Sequence, residues 1–396
     1  MFSKRQLFEV IFLLLLFLSC KGKINETNIL TINISHASIK SIHVNDIFDS
    51  IEYVILETTP KCLLDENDMD VFVTNKYIIT NNKFFKSGVY LFDRKSGKFL
   101  YEIGKKGGGP NEYQFIFSHP FNEKFELFYV VKNLQRIGFD INTNKVVEKV
   151  FNPILFTDSL FLETNLLVTS IDNIYKMDST LYIAFPNNRT GYDPYLLIIF
   201  DKNGKIVKTF PNHQKYINYL EARNPFNPGL FYEFDNKLYF KEYNFNDTVF
   251  QVSIDTITPH IIFNLGKKKP DYNEQENSLK NTDCYWIRYV RETRGYVFFS
   301  YYGDNEGYYD GYYDKEKREL VTSLSSSKEM RGFVYAKNQY PPFYIFNINK
   351  AEEAVGIITA SNMLAYIEKN KHLSYPEKFH QLKYDDNPII VIAKLK

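Results

Sequence analysis

Residues 196–207 read LLIIFDKNGKIV, and this stretch contains the pattern that decides the fold. A continuous apolar run enters a polar turn at Asp201, and a second apolar run follows it. Asn-Gly at 203–204 is a pair that can take the positive φ angles of a tight hairpin turn, so the stretch predicts two antiparallel strands. Because the apolar runs do not alternate strictly with polar residues, we expect both faces of these strands to be covered.

The same signal recurs along the chain in a fixed order. An aromatic strand core comes first, and a second strand then ends at an aspartate; the five aspartates are Asp93, Asp140, Asp201, Asp255 and Asp314. They are separated by 47, 61, 54 and 59 residues, a spacing that fits one four-stranded sheet per repeat. The turn after Asp314 (KEKR) lacks a glycine, so we expect it to be longer or looser than the others.

Six such repeats fit between about residue 50 and the end of the chain. The sequence therefore predicts an all-β fold, a six-bladed β-propeller of four-stranded antiparallel blades, with residues 29–396 as a single domain. An aromatic content of 17% favours strands over helices. Because an open terminal blade would expose a hydrophobic edge, we expect the strand 388–396 to close the ring with residues 51–56 or 29–34.

One segment departs from the β pattern. Residues 361–370 can form a short helix that Ser361 caps, with Leu364 and Ile367 on one face. We expect this helix to be an insertion in the last blade.

The first residues have the features of a secretory signal. A basic start precedes an apolar stretch at 11–18, which is too short to span a bilayer. The end of this stretch resembles the lipobox of bacterial lipoproteins, which implies that residues 1–19 are removed and that Cys20 carries lipid. An ordinary signal peptide is the alternative. Residues 20–28 would form a lipidated tether, with the folded part facing the periplasm or the cell surface.

The charge balance argues against one class of partner. The chain has 48 Lys and Arg against 47 Asp and Glu, and removal of Lys4, Arg5 and Glu9 leaves 46 of each. Such a chain produces no steering field for nucleic acid, so we expect no nucleic-acid binding. Cys62 and Cys284 could form a disulfide, but isolated buried thiols are favoured because cysteine is among the most buried residue types.

Two stretches carry a family resemblance. They are residues 50–59 (SIEYVILETT) and the run from 92 to 113, which ends in GGGPNEY. On these stretches the chain resembles the six-bladed β-propeller lipoproteins of Gram-negative bacterial envelopes, which are related in shape to NHL-type and TolB-type propellers. The resemblance implies a fold and an envelope location. It implies little about activity, because a fold alone does not fix a function.

The crossing from the first blade to the second contains three glycines at 107–109. A phosphate loop would need Gly-Lys-Ser/Thr at the start of a helix, and here Pro110 follows instead. We interpret the glycines as a sharp crossing that places Glu112 and Tyr113 near the central opening, where a propeller usually holds its ligand.

Basic residues mark equivalent crossings. Lys105 and Lys106 lie in the first, and His213 and residues 267–269 (KKK) lie in two others. Together they could make one face of the ring basic and suited to an anionic ligand. Solvated loop lysines are the alternative.

Residues 285–291 (YWIRYVR) interleave aromatic and basic side chains. Trp286 and Arg288 are therefore candidates for stacking on a sugar or a planar ligand, and a half-buried strand is the alternative. The seven histidines show no His-x-His or His-Glu-x-x-His spacing, so we predict no metal or cofactor. No catalytic residue is assigned.

The sequence favours a non-catalytic binding or scaffolding module for an envelope protein, a peptide or a glycan. The alternative is a propeller hydrolase or lyase that acts on a carbohydrate or lactone, with a divalent metal or acid/base residues at the axis. Converging carboxylates in the central opening would favour the enzyme, and aromatic and neutral polar groups would favour binding. A third option, a structural subunit of an outer-membrane assembly, predicts an apolar patch on the outside of the ring.

Overall fold

The repeated hairpins fold into six sheets arranged in a ring. The computed structural model describes residues 29–65, 69–82, 88–109, 112–116, 120–133, 135–153, 173–186, 194–213, 229–242, 246–270, 283–303, 307–325, 331–335 and 340–396. The elements, in chain order, are β1 (Leu30–Asn33), β2 (Ser38–Ile39), α1 (Val44–Ile47), β3 (Phe48–Ile55), β4 (Met69–Val73), β5 (Tyr77–Asn82), β6 (Val89–Asp93), β7 (Phe99–Glu102), β8 (Phe121–Asn122), β9 (Leu127–Lys132), β10 (Gln135–Asp140), β11 (Lys145–Phe151), β12 (Asn173–Lys176), β13 (Leu181–Phe185), β14 (Tyr195–Asp201), β15 (Ile206–Pro211), β16 (Gly229–Phe234), β17 (Lys237–Glu242), β18 (Thr248–Val252), β19 (Ile257–Asn264), β20 (Tyr285–Glu292), β21 (Tyr296–Gly303), β22 (Gly307–Asp314), β23 (Glu319–Ser325), β24 (Asn347–Ile348), β25 (Glu353–Ile358), α2 (Ala360–Lys369), α3 (Glu377–His380) and β26 (Ile389–Leu395).

Each sheet is one blade of a β-propeller. Blades 1 to 5 are β4–β7, β8–β11, β12–β15, β16–β19 and β20–β23, each numbered from the inner strand to the outer strand. Blade 6 has the order β24, β25, β26, β3. The prediction of six four-stranded antiparallel blades is confirmed.

The two ends of the chain close the ring in blade 6. Strand β3 pairs antiparallel with β26, from Ile55 opposite Ile389 to Phe48 opposite Leu395. Residues 51–56 are therefore the closing partner. Residues 29–34 have another position, because β1 pairs in parallel with β19 as a fifth strand of blade 4.

The N-terminal strap, residues 29–47, runs along the outside of the ring. After β1 leaves blade 4, β2 pairs in parallel with β23 on blade 5, and His43 bridges to Val334. Ile32, Ile34 and Val44 of the strap are buried. The strap therefore covers the outer edges of blades 4 and 5 before the chain enters blade 6.

The core lies between neighbouring blades. Leu197, Ile198, Ile199 and Phe200 of β14 are all 0% exposed, which confirms that both faces of this strand are covered. Ile199 belongs to the cluster that blade 3 shares with blade 4, and Phe200 belongs to the cluster that it shares with blade 2. Continuous apolar runs are needed because each sheet is packed on both sides.

The predicted helix is present in blade 6, between β25 and β26. Its N-cap is Thr359, whose hydroxyl accepts the Asn362 N–H at 3.0 Å, so the assignment of the cap to Ser361 was wrong. Thr359 has the extended backbone that a cap requires, whereas Ser361 is already helical. Leu364 and Ile367 pack against the core of blade 6, as expected.

Aspartates cap the turns between the third and fourth strands of four blades. Asp93, Asp140, Asp201 and Asp314 each accept backbone N–H groups of the turn that follows. Blade 4 differs: β18 ends at Val252, and the Ser253 hydroxyl, not Asp255, accepts an N–H of the turn. The predicted pattern, in which an aspartate ends the third strand and caps the turn, is therefore wrong for Asp255 in blade 4.

The turn after Asp314 is not longer than the others, and that expectation was wrong. Arg318 takes a positive φ of 55°, and it stands four residues after its aspartate, as Gly97 (φ 69°) and Asn144 (φ 53°) do. The left-handed position is thus retained by a residue that tolerates it poorly.

Candidate functional site

The antiparallel order of the strands gives the ring two different faces. The turns between first and second strands and between third and fourth strands lie on one face, the turn face. The loops between second and third strands and the blade-to-blade crossings lie on the other, the crossing face. The ligand candidates from the sequence belong mainly to the crossing face.

The glycine crossing encloses a carboxylate of its own. Glu112 Oε2 accepts the Gly109 N–H at 2.7 Å, and a side chain at Gly107 would overlap the same carboxylate. Lys132 Nζ also donates to the Gly108 carbonyl at 3.1 Å. An internal anion thus occupies the place that a phosphate would take. Glycines are needed here because the Glu112 side chain fills the loop.

The other crossing residues are dispersed. Lys105 and Lys106 are exposed, and His213 is exposed on another crossing of the same face. Tyr113 is not near an opening: it is 1% exposed and packs with Ile79 and Phe128 between blades 1 and 2. Its bulky ring is taken up by this apolar interface.

The predicted basic face is partly neutralised. Lys268 forms an ion pair with Asp283, and Lys269 forms one with Asp247 at 2.7 Å. Both aspartates come from neighbouring loops of the same face. The lysines at 268 and 269 therefore add little net charge there.

A cavity of about 270 Å³ lies at the crossing-face end of blade 5. We call it the crossing-face pocket. Its lining combines two guanidinium groups with one hydroxyl and three phenol rings, from Arg288, Ser300, Tyr301, Tyr302, Tyr308 and Arg331. Aromatic walls with a few polar groups that fix orientation are typical of small-ligand sites.

Arg288 reaches this pocket because the inner strand has a bulge. The pairing of β20 with β21 shifts between Ile287 and Tyr289, so Arg288 is the extra residue and is exposed. A bulge redirects a side chain that regular pairing would have placed elsewhere. The alternation in YWIRYVR did not predict it.

Arg331 is held rigidly in the wall of the pocket. Its Nε donates to Asp310 Oδ2 at 2.9 Å, and its Nη2 donates to Oδ1 at 2.6 Å. The guanidinium also lies 4.3 Å from the ring centre of Tyr344 and 5.2 Å from that of Tyr308. A bidentate ion pair between two stacked rings keeps this charge in one orientation.

Trp286 supports the pocket from behind. It is buried, stands opposite Tyr302 in the strand pair, and clusters with Tyr302 and Cys284. The Tyr302 ring lies 5.3 Å from the Tyr308 ring on the pocket wall. Direct stacking of a ligand on Trp286 remains a prediction. The residues that line the pocket itself are Tyr302 and Tyr308. Cys284 and Cys62 are both buried and are not joined by a disulfide.

A second set of polar residues, which we call the axial bridge, spans the central axis near the turn face: Glu123, Lys124, Glu233 and Lys350. Glu123 of blade 2 accepts the backbone N–H of Lys350 of blade 6, with 3.0 Å to each carboxylate oxygen. Lys124 lies 3.8 Å from Glu233 of blade 4. Blades 2 and 6, and blades 2 and 4, are not neighbours, so these contacts span the central channel.

The carboxylates of this axial bridge are electrostatically perturbed. Burial raises the pKa of Glu123 to about 7, although the Lys350 N–H favours the charged form; the charge of Glu233 raises the pKa further. Burial also raises the pKa of Glu233, against the attraction of Lys124.

Another polar contact joins the inner strands of blades 5 and 6: Arg291 Nε of blade 5 donates to Asn347 Oδ1 of blade 6 at 3.1 Å. No sequence pattern marks these residues, although Glu123 and Arg291 lie at or next to the end of an inner strand and Lys350 lies two residues beyond one.

Two further observations concern metals and membranes. In the part of the chain that the structure describes, no three His, Cys, Asp or Glu side chains are grouped so that they could hold a metal ion. None of the described helices has the length and apolar character needed to cross a bilayer. Cys20, the predicted lipidation site, lies outside the described residues.

The ring of six four-stranded sheets defines a β-propeller. The chain belongs to the family described as "Domain of unknown function (DUF4934)", which matches residues 29–394. No curated protein sequence is significantly similar to this chain.

Solved structures share the fold at low sequence identity. One is a protein from Bacteroides fragilis NCTC 9343 that is thought to be exported: its TM-score is 0.66 at 16% identity, and the match covers 93% of this chain and 99% of that chain. A member of the DUF4221 family from Bacteroides vulgatus ATCC 8482 has a TM-score of 0.48 at 11% identity, with 88% and 97% covered. The WD40 β-propeller domain of Doa1 scores 0.38 at 9% identity, with 86% and 97% covered.

Proposed function

We propose that this chain is a lipid-anchored β-propeller of a Gram-negative cell envelope, related in shape to NHL-type and TolB-type propellers, that binds a partner without catalysis. The signal-like start and Cys20 support the location, as does the fold shared with a Bacteroides protein that is thought to be exported. The partner is an envelope protein, a peptide or a glycan, and the site needs no cofactor.

The crossing-face pocket is the observation that carries this proposal. Its tyrosines offer rings on which a sugar or a peptide side chain can stack. The exposed guanidinium of Arg288 favours a ligand with a carboxylate, whereas the charge of Arg331 is already paired with Asp310 and keeps the pocket wall in place. We therefore infer that the ligand is an acidic glycan or a peptide with an anionic group at the contact.

Binding of defined probes tests the proposal. The probes are a glucuronic acid oligosaccharide and a peptide with a free C-terminal carboxylate, each compared with its neutral form by calorimetry. We expect the acidic probes to bind, and we expect the variants Arg288→Ala and Tyr308→Ala to weaken binding at least tenfold. Arg294→Ala is the matched control, because Arg294 is an exposed arginine on the turn face. Equal binding of neutral probes, or equal loss in the control, would reject this site.

The competing function is a hydrolase or lyase, and one observation favours it. Glu123 and Glu233 converge on the axis, and a carboxyl group with a pKa of about 7 is suited to general acid/base work. Both oxygens of Glu123 accept the Lys350 N–H, however, which favours a structural role. Turnover of a carbohydrate or lactone substrate that is lost in Glu123→Gln, with folding retained, would establish the enzyme and reject the binding module.

A further inference from the structure

Three consecutive blades carry the same feature on their outer strands. In blades 1, 2 and 3 the register of the outer strand shifts by one residue, and the extra residues are Leu100, Val147 and Val207. All three are aliphatic and exposed, by 43%, 57% and 53%. A single exposed aliphatic side chain is ordinary, but here the same type recurs at the same bulge in three consecutive blades.

A lysine precedes each of these aliphatic residues by two positions. Lys98, Lys145 and Lys205 are all exposed. The recurring unit is therefore lysine, an apolar residue and a bulged aliphatic residue: KFL, KVV and KIV. We call the three units the rim motif.

Blades 4 to 6 lack the motif. The extra residue is His260 in blade 4, where it contacts Glu292 at 2.8 Å, and Asp49 in blade 6; blade 5 has no register shift there. Blades 4 and 5 are also the blades whose outer edges the N-terminal strap covers. The rim motif thus lies on the part of the ring that the strap does not reach.

The outer edges of blades 1 to 3 can accept another strand. Among the described residues, no strand pairs with the outer edge of β7, β11 or β15. Neighbouring blades already use some groups of these edges: the Phe99 N–H donates to Glu57, the Glu102 carbonyl accepts from Asn144, and the Phe151 N–H donates to the Lys202 carbonyl. The rest of such an edge can pair with an extended chain that approaches. The chain itself shows this mode, because β1 and β2 pair in parallel with the outer strands of blades 4 and 5.

The strap also shows which side chains suit the addition of a strand to the outer edge of a blade. Ile32 and Ile34 insert as apolar residues, and Lys40 forms a 3.1 Å ion pair with Glu319 on blade 5. On blades 1 to 3 the rim presents exposed lysines beside turn aspartates whose carboxylates accept backbone N–H groups, so a segment with acidic groups is the one that fits. We propose that the outer edges of blades 1 to 3 bind an extended polypeptide segment of a partner, in which apolar and acidic residues alternate.

A flat anionic bilayer fits this surface less well. The three units lie at the same height on blades that turn away from one another around the ring. The aspartate turns project beyond the bulged aliphatic residues by about three residues, on the order of 10 Å at strand spacing. A bilayer that approaches the turn face would meet these polar turns first, whereas an extended chain can follow the curved rim.

A designed peptide tests the inference. The probe is a labelled 16-residue peptide in which isoleucine alternates with aspartate or glutamate. The control peptide has lysine in place of the acidic residues. By fluorescence anisotropy we expect saturable binding of the acidic peptide alone. Amide hydrogen exchange should show new protection in β7, β11 or β15 when it binds.

Two triple variants separate the charge from the apolar contribution. The charge variant combines Lys98→Glu, Lys145→Glu and Lys205→Glu. The apolar variant combines Leu100→Ser, Val147→Ser and Val207→Ser. Each triple variant should weaken binding at least tenfold. The matched control is a third triple variant, which changes exposed lysines elsewhere: Lys61→Glu, Lys237→Glu and Lys371→Glu. It should bind the peptide normally. All changes are at the surface, and thermal melts check the fold.

The inference does not depend on the crossing-face pocket. Binding of the basic peptide as well as the acidic one, or equal weakening in the control variant, would overturn it. Absence of peptide binding would also overturn it. If, in addition, the protein bound phosphatidylglycerol vesicles through the same lysines, the rim would be reassigned to a membrane surface.

Discussion

Glu123 and Lys350 are joined across the axis of the ring: both oxygens of the Glu123 carboxylate accept the backbone N–H of Lys350. They belong to blades 2 and 6, which are separated by blade 1. A contact between non-neighbouring blades can form only when the ring is complete. This pair therefore reports on closure in a way that contacts between adjacent blades do not.

The pH dependence of stability should reveal Glu123. Its folded pKa of about 7 lies above the ordinary value of 4.5, so the folded state binds more protons than the unfolded state between these two values. The contribution is therefore stabilising at low pH and is lost as the pH rises from about 4.5 through 7. Glu123→Gln should remove this slope and stabilise the protein at pH 8 by on the order of 1–3 kcal/mol.

Urea unfolding from pH 5 to pH 8 measures this effect. Glu368→Gln is the matched control, since Glu368 is an exposed glutamate on the helix α2. An unchanged pH slope in Glu123→Gln would show that another group causes it.

Breaking the ion pair in the pocket wall should be costly. Asp310 is buried and the Arg331 side chain is only 12% exposed, so removal of one partner leaves the other charge without compensation. We expect Asp310→Ala to lower the free energy of unfolding by about 3–5 kcal/mol. The double variant Asp310→Ala with Arg331→Ala should be less destabilised than the sum of the single variants, because no lone charge remains. Strict additivity in this cycle would contradict a coupled pair.

Arg318 should be a site where stability can be gained. It holds φ at 55°, a conformation that is costly for most side chains, whereas Asn144 occupies the equivalent position in blade 2. Arg318→Asn should therefore raise the free energy of unfolding by about 0.5–1 kcal/mol. Arg294→Asn, in a neighbouring turn without a positive φ, should give no gain. A similar gain in both variants would point to a charge effect.

Gly97 should tolerate no side chain. Its φ is 69°, its carbonyl accepts the Glu57 N–H at 2.9 Å, and an added Cβ would overlap the Ile55 carbonyl oxygen on the outer strand of blade 6. We expect Gly97→Ala to destabilise the protein by about 2 kcal/mol or more, because a backbone shift must separate blades 1 and 6. Gly108→Ala is the control, since a Cβ there meets open space. Equal melting temperatures for the two variants would contradict this account.

Local patterns predicted most of the fold. The hairpin at Asp201, the closing strand at 388–396 and the helix in blade 6 all depend on residues close together in sequence. The errors were also local: Ser253 replaces Asp255 as a cap, and Arg318 holds a position that usually requires glycine.

The candidate sites were harder to predict because they depend on which blades become neighbours. Glu123 and Lys350 are 227 residues apart, and nothing near either residue indicates the other. Arg288 was selected for its alternation with aromatic residues, but a bulge places it in the pocket. Tyr113 was selected for its loop, and burial between blades removed it from the surface.

The pairing of β3 with β26 also sets the order of events during synthesis. Ile55 is made early, and its partner Ile389 follows 334 residues later. At about 5–20 residues per second, the early strand waits roughly 17–67 seconds for its partner. The first five blades can form hairpins during this time, but blade 6 cannot be completed. The ring can therefore close only after β26 has been made, and until then β3 lacks the strand with which it pairs in blade 6.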